Sequence, residues 1–249
     1  MSEEREALRE KLLSPRKNGY DRIKAEELQT MERYCGLYKT FLQQGKTERE
    51  CARVAVELAE KAGFKPYERG MALAAGDKIY RVNRDKSVML AVIGRESLAQ
   101  GAHIVAAHID SPRLDLKPNP LYEDSELAYF KTHYYGGVRK YQWVTIPLEL
   151  HGVVALKDGT VVPVKLGEGE EAKLVITDLL PHLGGEQGKK PLNEAIPGES
   201  LNILLGSCPV GEEDEKDRVK MHVLEKLYEK YGITEDDFTS AELEAVPAA

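Results

Sequence analysis

Hydrophobic positions divide the chain into a helical start, a strand-rich middle and a further helical stretch near the end. Apolar residues at three- and four-residue intervals predict an amphipathic helix over 24–43. A shorter, highly charged helix is predicted before it, over 3–13. Thr47 and Glu50 form a capping-box signature, which predicts that the next helix begins there and covers 47–62.

The hydrophobic period then changes to that of β-strands. Strands are predicted at 78–82, 88–93 and 102–108. The third of these is apolar enough for a strand buried on both faces of a mostly parallel sheet. Helices followed by strands in this way predict an α/β layer architecture.

Beyond residue 120 the pattern is that of a small β-rich module. Asp158-Gly159, between two alternating runs, predicts a β-hairpin. A helix is predicted over 217–231, with Gly232 ending it. Further strands are predicted at 145–156, 160–166, 173–177, 201–205 and 240–246. The last strand has no element after it to cover it, which we take as a sign of an incomplete fold.

His108 and Asp110 are the residues most suggestive of chemistry. They follow an apolar run and, on a strand, would point to the same side at its end, where ligands bind in α/β sheets. Neutral imidazole is a common zinc ligand, and such ligands usually donate their second N–H to a carboxylate. A buried histidine bonded to a carboxylate is also a common structural arrangement, so both interpretations stay open. Zinc needs three or four ligands, and the sequence shows no second ligand cluster.

Composition narrows the possible partners. The chain has 249 residues, a net charge of −7 and no basic block, which argues against nucleic acid and anionic membranes as partners. Its apolar runs are too short to span a bilayer, and we expect no secretory signal. The three cysteines are widely spaced, which favours free thiols in the cytoplasm over a disulfide framework.

Four segments together resemble a known family. In order they are AAHIDSPRLDLKPNPLYED, YYGGVRKYQWVTIPLELHGVV, TDLLPHL and LNILLGSCPVGEEDEKDRVKMHVLEKLYEKYGITEDDF. They closely resemble the N-terminal half of the bacterial branch of the aspartyl aminopeptidase-like zinc metallopeptidases, and the resemblance covers essentially the whole chain. It implies a metal-dependent aminopeptidase that carries two zinc ions and removes N-terminal residues from peptides.

The resemblance also implies a domain organisation. Members of the family have an α/β catalytic domain interrupted by an inserted β-rich dimerisation domain. Residues 1–118 are therefore expected to be the first half of an incomplete catalytic domain, 119–239 the inserted domain, and 240–249 a strand returning to the catalytic domain. The family forms dimers that assemble further, so a homodimer or a larger homo-oligomer is expected.

The same resemblance implies roles for three residues. His108 corresponds to the first metal ligand, and Asp110 to the carboxylate that orients it. His182, which alone is only a loop histidine before Gly-Gly, corresponds to a residue that reaches into the neighbouring active site and helps hold the substrate or its oxyanion. The family's other metal ligands and its general-base Glu lie downstream of the matched region.

These observations predict a cytoplasmic aminopeptidase fragment that is inactive alone and exposes an apolar surface beside His108. In an alternative form of this hypothesis, the chain is one half of a split enzyme, and a separate C-terminal half restores activity. Two further hypotheses stay open: a non-catalytic assembly partner of a full-length aminopeptidase, and an unrelated α/β binding module with an accidental His-x-Asp.

Overall fold

The computed structural model describes residues 3–14 and 16–248, which form two compact units. The first extends to Gln43 and contains α1 (Glu3–Leu12) and almost all of α2 (Ala25–Gln44). Both helices confirm the sequence prediction. Every helix among the described residues is too short or too polar for a transmembrane span.

The second unit begins with α3 (Glu48–Lys61). Thr47 caps this helix as predicted, because its Oγ1 accepts a hydrogen bond from the Glu50 amide at 3.3 Å. The Glu50 carboxylate accepts from the Lys46 amide at 3.2 Å. A three-stranded sheet follows in the order β1–β2–β3, with β1 parallel to β2 and β3 antiparallel to it. Its strands are β1 (Lys65–Pro66), β2 (Lys78–Asn83) and β3 (Ser87–Val92).

The strand predicted at 102–108 is wrong for this chain. The segment has no regular secondary structure, and Ile104 and Val105 are 84% and 99% exposed. A strand needs a neighbour to satisfy its backbone groups, and no strand in the described part of the chain pairs with this one. Met89 and Val92 of β3 are also exposed, so apolar side chains reach solvent both in this segment and on β3, and the apolar surface expected beside His108 stays a prediction.

The larger sheet of the second unit is antiparallel and has six strands, in the order β7–β6–β9–β4–β5–β8. Helices and sheets together confirm the α/β class predicted from the sequence, although the larger sheet is antiparallel rather than mostly parallel. Helix α5 (Arg218–Tyr231) packs on β4, β5 and β8, and a short α4 (Leu192–Ala195) precedes β8. The strands are β4 (Arg113–Asp124), β5 (Leu127–Tyr135), β6 (Leu148–Ala155), β7 (Val161–Leu166), β8 (Ile203–Gly206) and β9 (Ala241–Pro247).

The core lies between this sheet and α5. Phe130, Ile203, Val219 and Leu227 are all buried there. Gly232 ends α5 in the left-handed conformation with φ 73°, as predicted.

Two hairpins organise the sheet. The hairpin predicted at Asp158-Gly159 joins β6 to β7 and is confirmed. The β4–β5 hairpin has no glycine signal, because its turn uses Ser125 and Glu126 in the left-handed region, at φ 53° and 59°.

Pro118 and Pro120 lie inside β4, where the β4–β5 register shifts between Leu116 and Leu121. Proline cannot donate to the ladder, so an interruption of pairing is expected there.

The domain division at 118/119 and 239/240 stays a prediction. The expected boundaries do not separate the sheet, because β4 crosses residue 118 and β9, which begins at Ala241, lies between β6 and β4. All three expected parts therefore contribute strands to one sheet.

We predict that Gly152→Ala lowers the free energy of unfolding by about 3 kcal/mol or more. Gly152 in β6 has φ 149°, and a Cβ there would lie 1.9 Å from the Glu242 carbonyl oxygen of β9. Chemical denaturation measures the loss. The control is Gly159→Ala, at φ 87° with open space around it, which should cost only about 1–2 kcal/mol. Equal losses for the two variants would contradict the close strand approach.

Candidate functional site

The His108 side chain is held by Asp110 alone among the described residues. His108 Nδ1 lies 2.9 Å from the Asp110 backbone oxygen and 3.2 Å from Asp110 Oδ1. A carbonyl oxygen can only accept, so Nδ1 carries the proton and Nε2 keeps its lone pair. The His108 side chain is 84% exposed. The structure thus brings the predicted pair together and leaves Nε2 available to a ligand.

A tyrosine that the sequence analysis did not single out completes this arrangement. Tyr135 Oη donates to Asp110 Oδ2 at 2.8 Å. This hydrogen bond, with weaker help from His108, holds the pKa of Asp110 below its usual range. Asp110 is therefore ionised while it holds the imidazole.

One histidine does not make a zinc site. Among the residues that the structure describes, His108 belongs to no group of three potential ligands. A free Nε2 beside an orienting carboxylate fits the role of a single ligand, and zinc would need the others from elsewhere.

The described residues contain one group of three neighbouring carboxylates: Glu48, Glu242 and Glu244. Arginine already lies among them, since Arg113 Nη1 is 3.3 Å from Glu48 Oε2 and Arg113 Nε is 3.3 Å from Glu244 Oε2. Lys86 and Arg49 pair with Glu242. We interpret the group as structural, because arginine and lysine side chains of the chain itself already contact all three carboxyl groups.

This group is part of a larger polar contact, which we term the α3–sheet junction. It joins the residues at the start of α3 to the polar face of β4, β6 and β9. Its members are Lys46, Glu48, Arg49, Glu50, Arg113, Glu149, His151, Glu242 and Glu244.

His151 lies at the centre of one half of the junction. It is 1% exposed, with Nδ1 2.9 Å from Glu50 Oε1 and Nε2 3.3 Å from Glu149 Oε2. Burial raises the pKa of both carboxyl groups, but their partners outweigh it. The His151 hydrogen bond and Lys165 bring the pKa of Glu50 to about 2, and Lys46 with Lys173 brings that of Glu149 to about 2.

Glu244 behaves in the opposite way. It is 2% exposed, and burial together with the nearby Glu48 charge raises its pKa to about 8, despite Arg113. The folded chain therefore keeps a proton on Glu244 at neutral pH.

His182 lies on the surface, away from regular structure. Its loop also exposes Leu179, Leu180 and Leu183, at 54%, 66% and 70%. No hydrogen bond joins His182 to His108 or Asp110 in the described residues. The role predicted for His182 is not tested by this chain alone.

Two surface grooves lie elsewhere on the second unit. The larger, of about 700 Å³, lies beside α5 and includes Cys208 and His222. The smaller, of about 520 Å³, lies between α3 and the β6–β7 hairpin. Neither is lined by His108, Asp110 or His182, so neither extends the candidate site.

Comparison with known proteins identifies the family. Residues 41–249 match the profile of the family described as aminopeptidase I zinc metalloprotease (M18). The chain belongs to the M18 family. It is 48% identical over 242 residues to a probable M18 family aminopeptidase 1 of Clostridium acetobutylicum, covering 95% of this chain and 52% of that protein.

Solved structures agree with this assignment. The crystal structure of an M18-family aminopeptidase from Thermotoga maritima matches with a TM-score of 0.86 and 42% identity, covering 94% of this chain and 51% of that one. A more distant structure, the mApe1 dodecamer of S. cerevisiae, shares the fold with a TM-score of 0.62 at 16% identity, covering 88% of this chain and 49% of that one. The chain spans about half the length of the relatives it matches.

Sequence reasoning missed Tyr135, Arg113 and the buried carboxylates. Arg113 and Tyr135 face each other across β4 and β5, a pairing that becomes visible only once the hairpin register is known. The alternation in β9 suggests an outward Glu244, but α3 covers that face of the sheet.

We predict that Glu244→Gln makes the chain more stable than the native protein at pH 8, while the two are alike near pH 5. Between about pH 4.5 and 8 the folded chain holds a proton that the unfolded chain has released. Native stability therefore falls as the pH rises, by about 1.4 kcal/mol per pH unit, whereas glutamine has no proton to lose. Thermal melts across this range measure the difference.

Glu242→Gln is the matched control from the same strand. Burial raises the pKa of Glu242, but Arg49 and Lys86 lower it by a larger amount, so the net pKa is below its usual range. The ionised form of Glu242 therefore stabilises the fold. Removal of this charge should destabilise the chain at pH 8. The effect should become smaller as the pH falls below the ordinary pKa of glutamate. If both variants shift stability in the same direction at pH 8, the assignment of the proton to Glu244 is wrong.

Proposed function

We propose that this chain is the N-terminal portion of a zinc-dependent aminopeptidase that removes N-terminal residues from peptides. The observation that carries the proposal is the His108–Asp110 pair, whose geometry leaves Nε2 of an exposed imidazole free to bind a metal. Membership of a family described as zinc metalloproteases supports the same chemistry.

His108 would hold one of two zinc ions, and Asp110 would fix the ring so that Nε2 faces the metal. Zinc bound in such a site polarises a peptide carbonyl and activates water. Among the described residues, His108 belongs to no group of three potential ligands, so we propose that the chain is inactive alone. The remaining ligands would come from a polypeptide equivalent to the other half of its relatives.

We further propose that residues 119–239 act as a dimerisation domain and that His182 acts in the neighbouring subunit. The exposed leucines around His182 support a contact surface there. A histidine aimed at developing oxyanion charge would stabilise the transition state. A homodimer or larger homo-oligomer follows from this arrangement. The three free thiols support a cytoplasmic location.

We predict that the purified chain with zinc releases no amino acid from a panel of aminoacyl p-nitroanilides. Mixed with the second half of the C. acetobutylicum relative, it should form a complex and become active, because that half supplies the missing ligands. Gel filtration and the absorbance of released nitroaniline measure the two results. Strong activity of the chain alone would overturn the proposal that it is incomplete.

His108→Ala should abolish activity of the reconstituted complex without preventing its assembly. The control is His103→Ala, which removes another exposed histidine of the same segment and should leave activity unchanged. Activity that survives His108→Ala would refute the ligand assignment. A complex that assembles but never becomes active would instead favour the non-catalytic assembly partner.

A further inference from the structure

Tyr135 occupies a defined place at the end of β5. It is the cross-strand neighbour of Arg113 on β4, and the guanidinium carbon lies 4.1 Å from the centre of the Tyr135 ring. A cation over an aromatic face at this distance is attractive and fixes the plane of the ring. The ring is thereby oriented before its hydroxyl makes any contact.

Arg113 is itself held from several sides. Its Nε lies 2.8 Å from Asp115 Oδ1 and 3.3 Å from Glu244 Oε2, and its Nη1 lies 3.3 Å from Glu48 Oε2. These partners come from β4, β9 and α3 respectively. The platform under Tyr135 is therefore built by the folded core of the second unit rather than by the exposed segment that carries His108.

The Tyr135 hydroxyl connects this platform to the metal-ligand pair. Oη donates to Asp110 Oδ2 at 2.8 Å, while Asp110 Oδ1 faces His108 Nδ1 at 3.2 Å. Residues 101–112 have no regular secondary structure, and Asp110 is the only hydrogen-bond partner of the His108 side chain among the described residues. Without the hydroxyl, the Asp110 carboxylate would be free to rotate about its own side-chain bonds, and only the Asp110 backbone oxygen, 2.9 Å from Nδ1, would still hold the ring.

We propose that Tyr135 is a positioning residue for the metal site, which acts through Asp110 to hold His108 as the Nδ1–H tautomer with Nε2 directed outward. This inference rests on the proposed function, in which His108 binds zinc. It adds that a residue of β5, within the region expected to be the inserted domain, sets the geometry of a ligand expected to belong to the catalytic domain.

The test uses the full chain labelled with ¹⁵N-histidine and the variant Tyr135→Phe. Phenylalanine keeps the ring over Arg113, so the melting temperature should stay the same while the hydrogen bond is lost. Long-range ¹H–¹⁵N NMR spectra at pH 8, above the ordinary titration range of imidazole, report the tautomer of each neutral ring. The native chain should show His108 as the Nδ1–H tautomer, and Tyr135→Phe should move its ¹⁵N shifts part of the way toward those of two exchanging tautomers, because the Asp110 backbone oxygen still accepts from Nδ1.

Tyr134→Phe is the matched control. Tyr134 is 38% exposed against 42% for Tyr135, lies on the opposite face of β5 and stacks on His133. This variant should leave the His108 shifts unchanged. Unchanged His108 shifts in Tyr135→Phe, or equal changes in both variants, would overturn the positioning role.

A second measurement separates this inference from the proposed function. In the reconstituted complex, Tyr135→Phe should lower kcat by about tenfold with KM unchanged, the size expected when a partner of a metal-bound histidine is removed. A tautomer change without any dependence of activity on His108 would refute the proposed function but not the contact. A native tautomer with full kcat in Tyr135→Phe would refute the positioning role even if His108 is a ligand.

Discussion

Buried charges hold the start of α3 against the six-stranded sheet. Removing charges from water is costly, and the charged groups of the α3–sheet junction depend on partners that come largely from other elements. Glu50 depends on His151 of β6, Glu48 on Arg113 of β4, and Arg49 on Glu242 of β9. Because Arg113 also lies over Tyr135, the junction that joins helix to sheet also supports the contact to Asp110 and His108.

The junction contains carboxyl groups whose pKa values are shifted in opposite directions. Glu50 and Glu149 are ionised because cationic groups contact them directly, whereas Glu244 has Glu48 nearby and shares Arg113 with it. The sum of burial and neighbouring charge thus decides the state of each group separately. The junction thus holds one protonated carboxyl group among several ionised ones. The net charge of the sequence does not reveal which carboxyl group carries the proton.

Local patterns in the sequence predicted the elements better than their partners. Thr47, Asp158-Gly159 and Gly232 act through residues close in sequence, and the cap, hairpin and helix end that they predict are present. Residues 102–108 have the composition of a strand, but strand formation depends on a neighbour that the described chain does not supply.

The candidate site shows the same division. His108 and Asp110 are two residues apart, and their contact was predicted from the sequence, although the strand from which it was argued is not formed. Tyr135 is 25 residues from Asp110, and its role depends on a hairpin whose turn lacks the usual glycine. Glu244 required knowledge of which helix covers β9. Sequence patterns predicted the elements themselves but could not predict which elements lie next to each other.

The order of strands has a consequence for how the chain folds. β9, at residues 241–247, lies between β6 and β4 and supplies the continuous ladder between the hairpin β6–β7 and the group β4–β5–β8. The only other link among the described strands is a pair of isolated bridges, from Leu174 to Leu148 of β6 and from Val175 to Leu204 of β8. During synthesis these two halves can form separately, but the sheet cannot close until β9 has left the ribosome. Contacts over such long sequence separations are slow to form. Until then both halves expose unpaired strand edges. The sheet can therefore be completed only after residues 241–247 have been synthesised, although its other strands are available earlier.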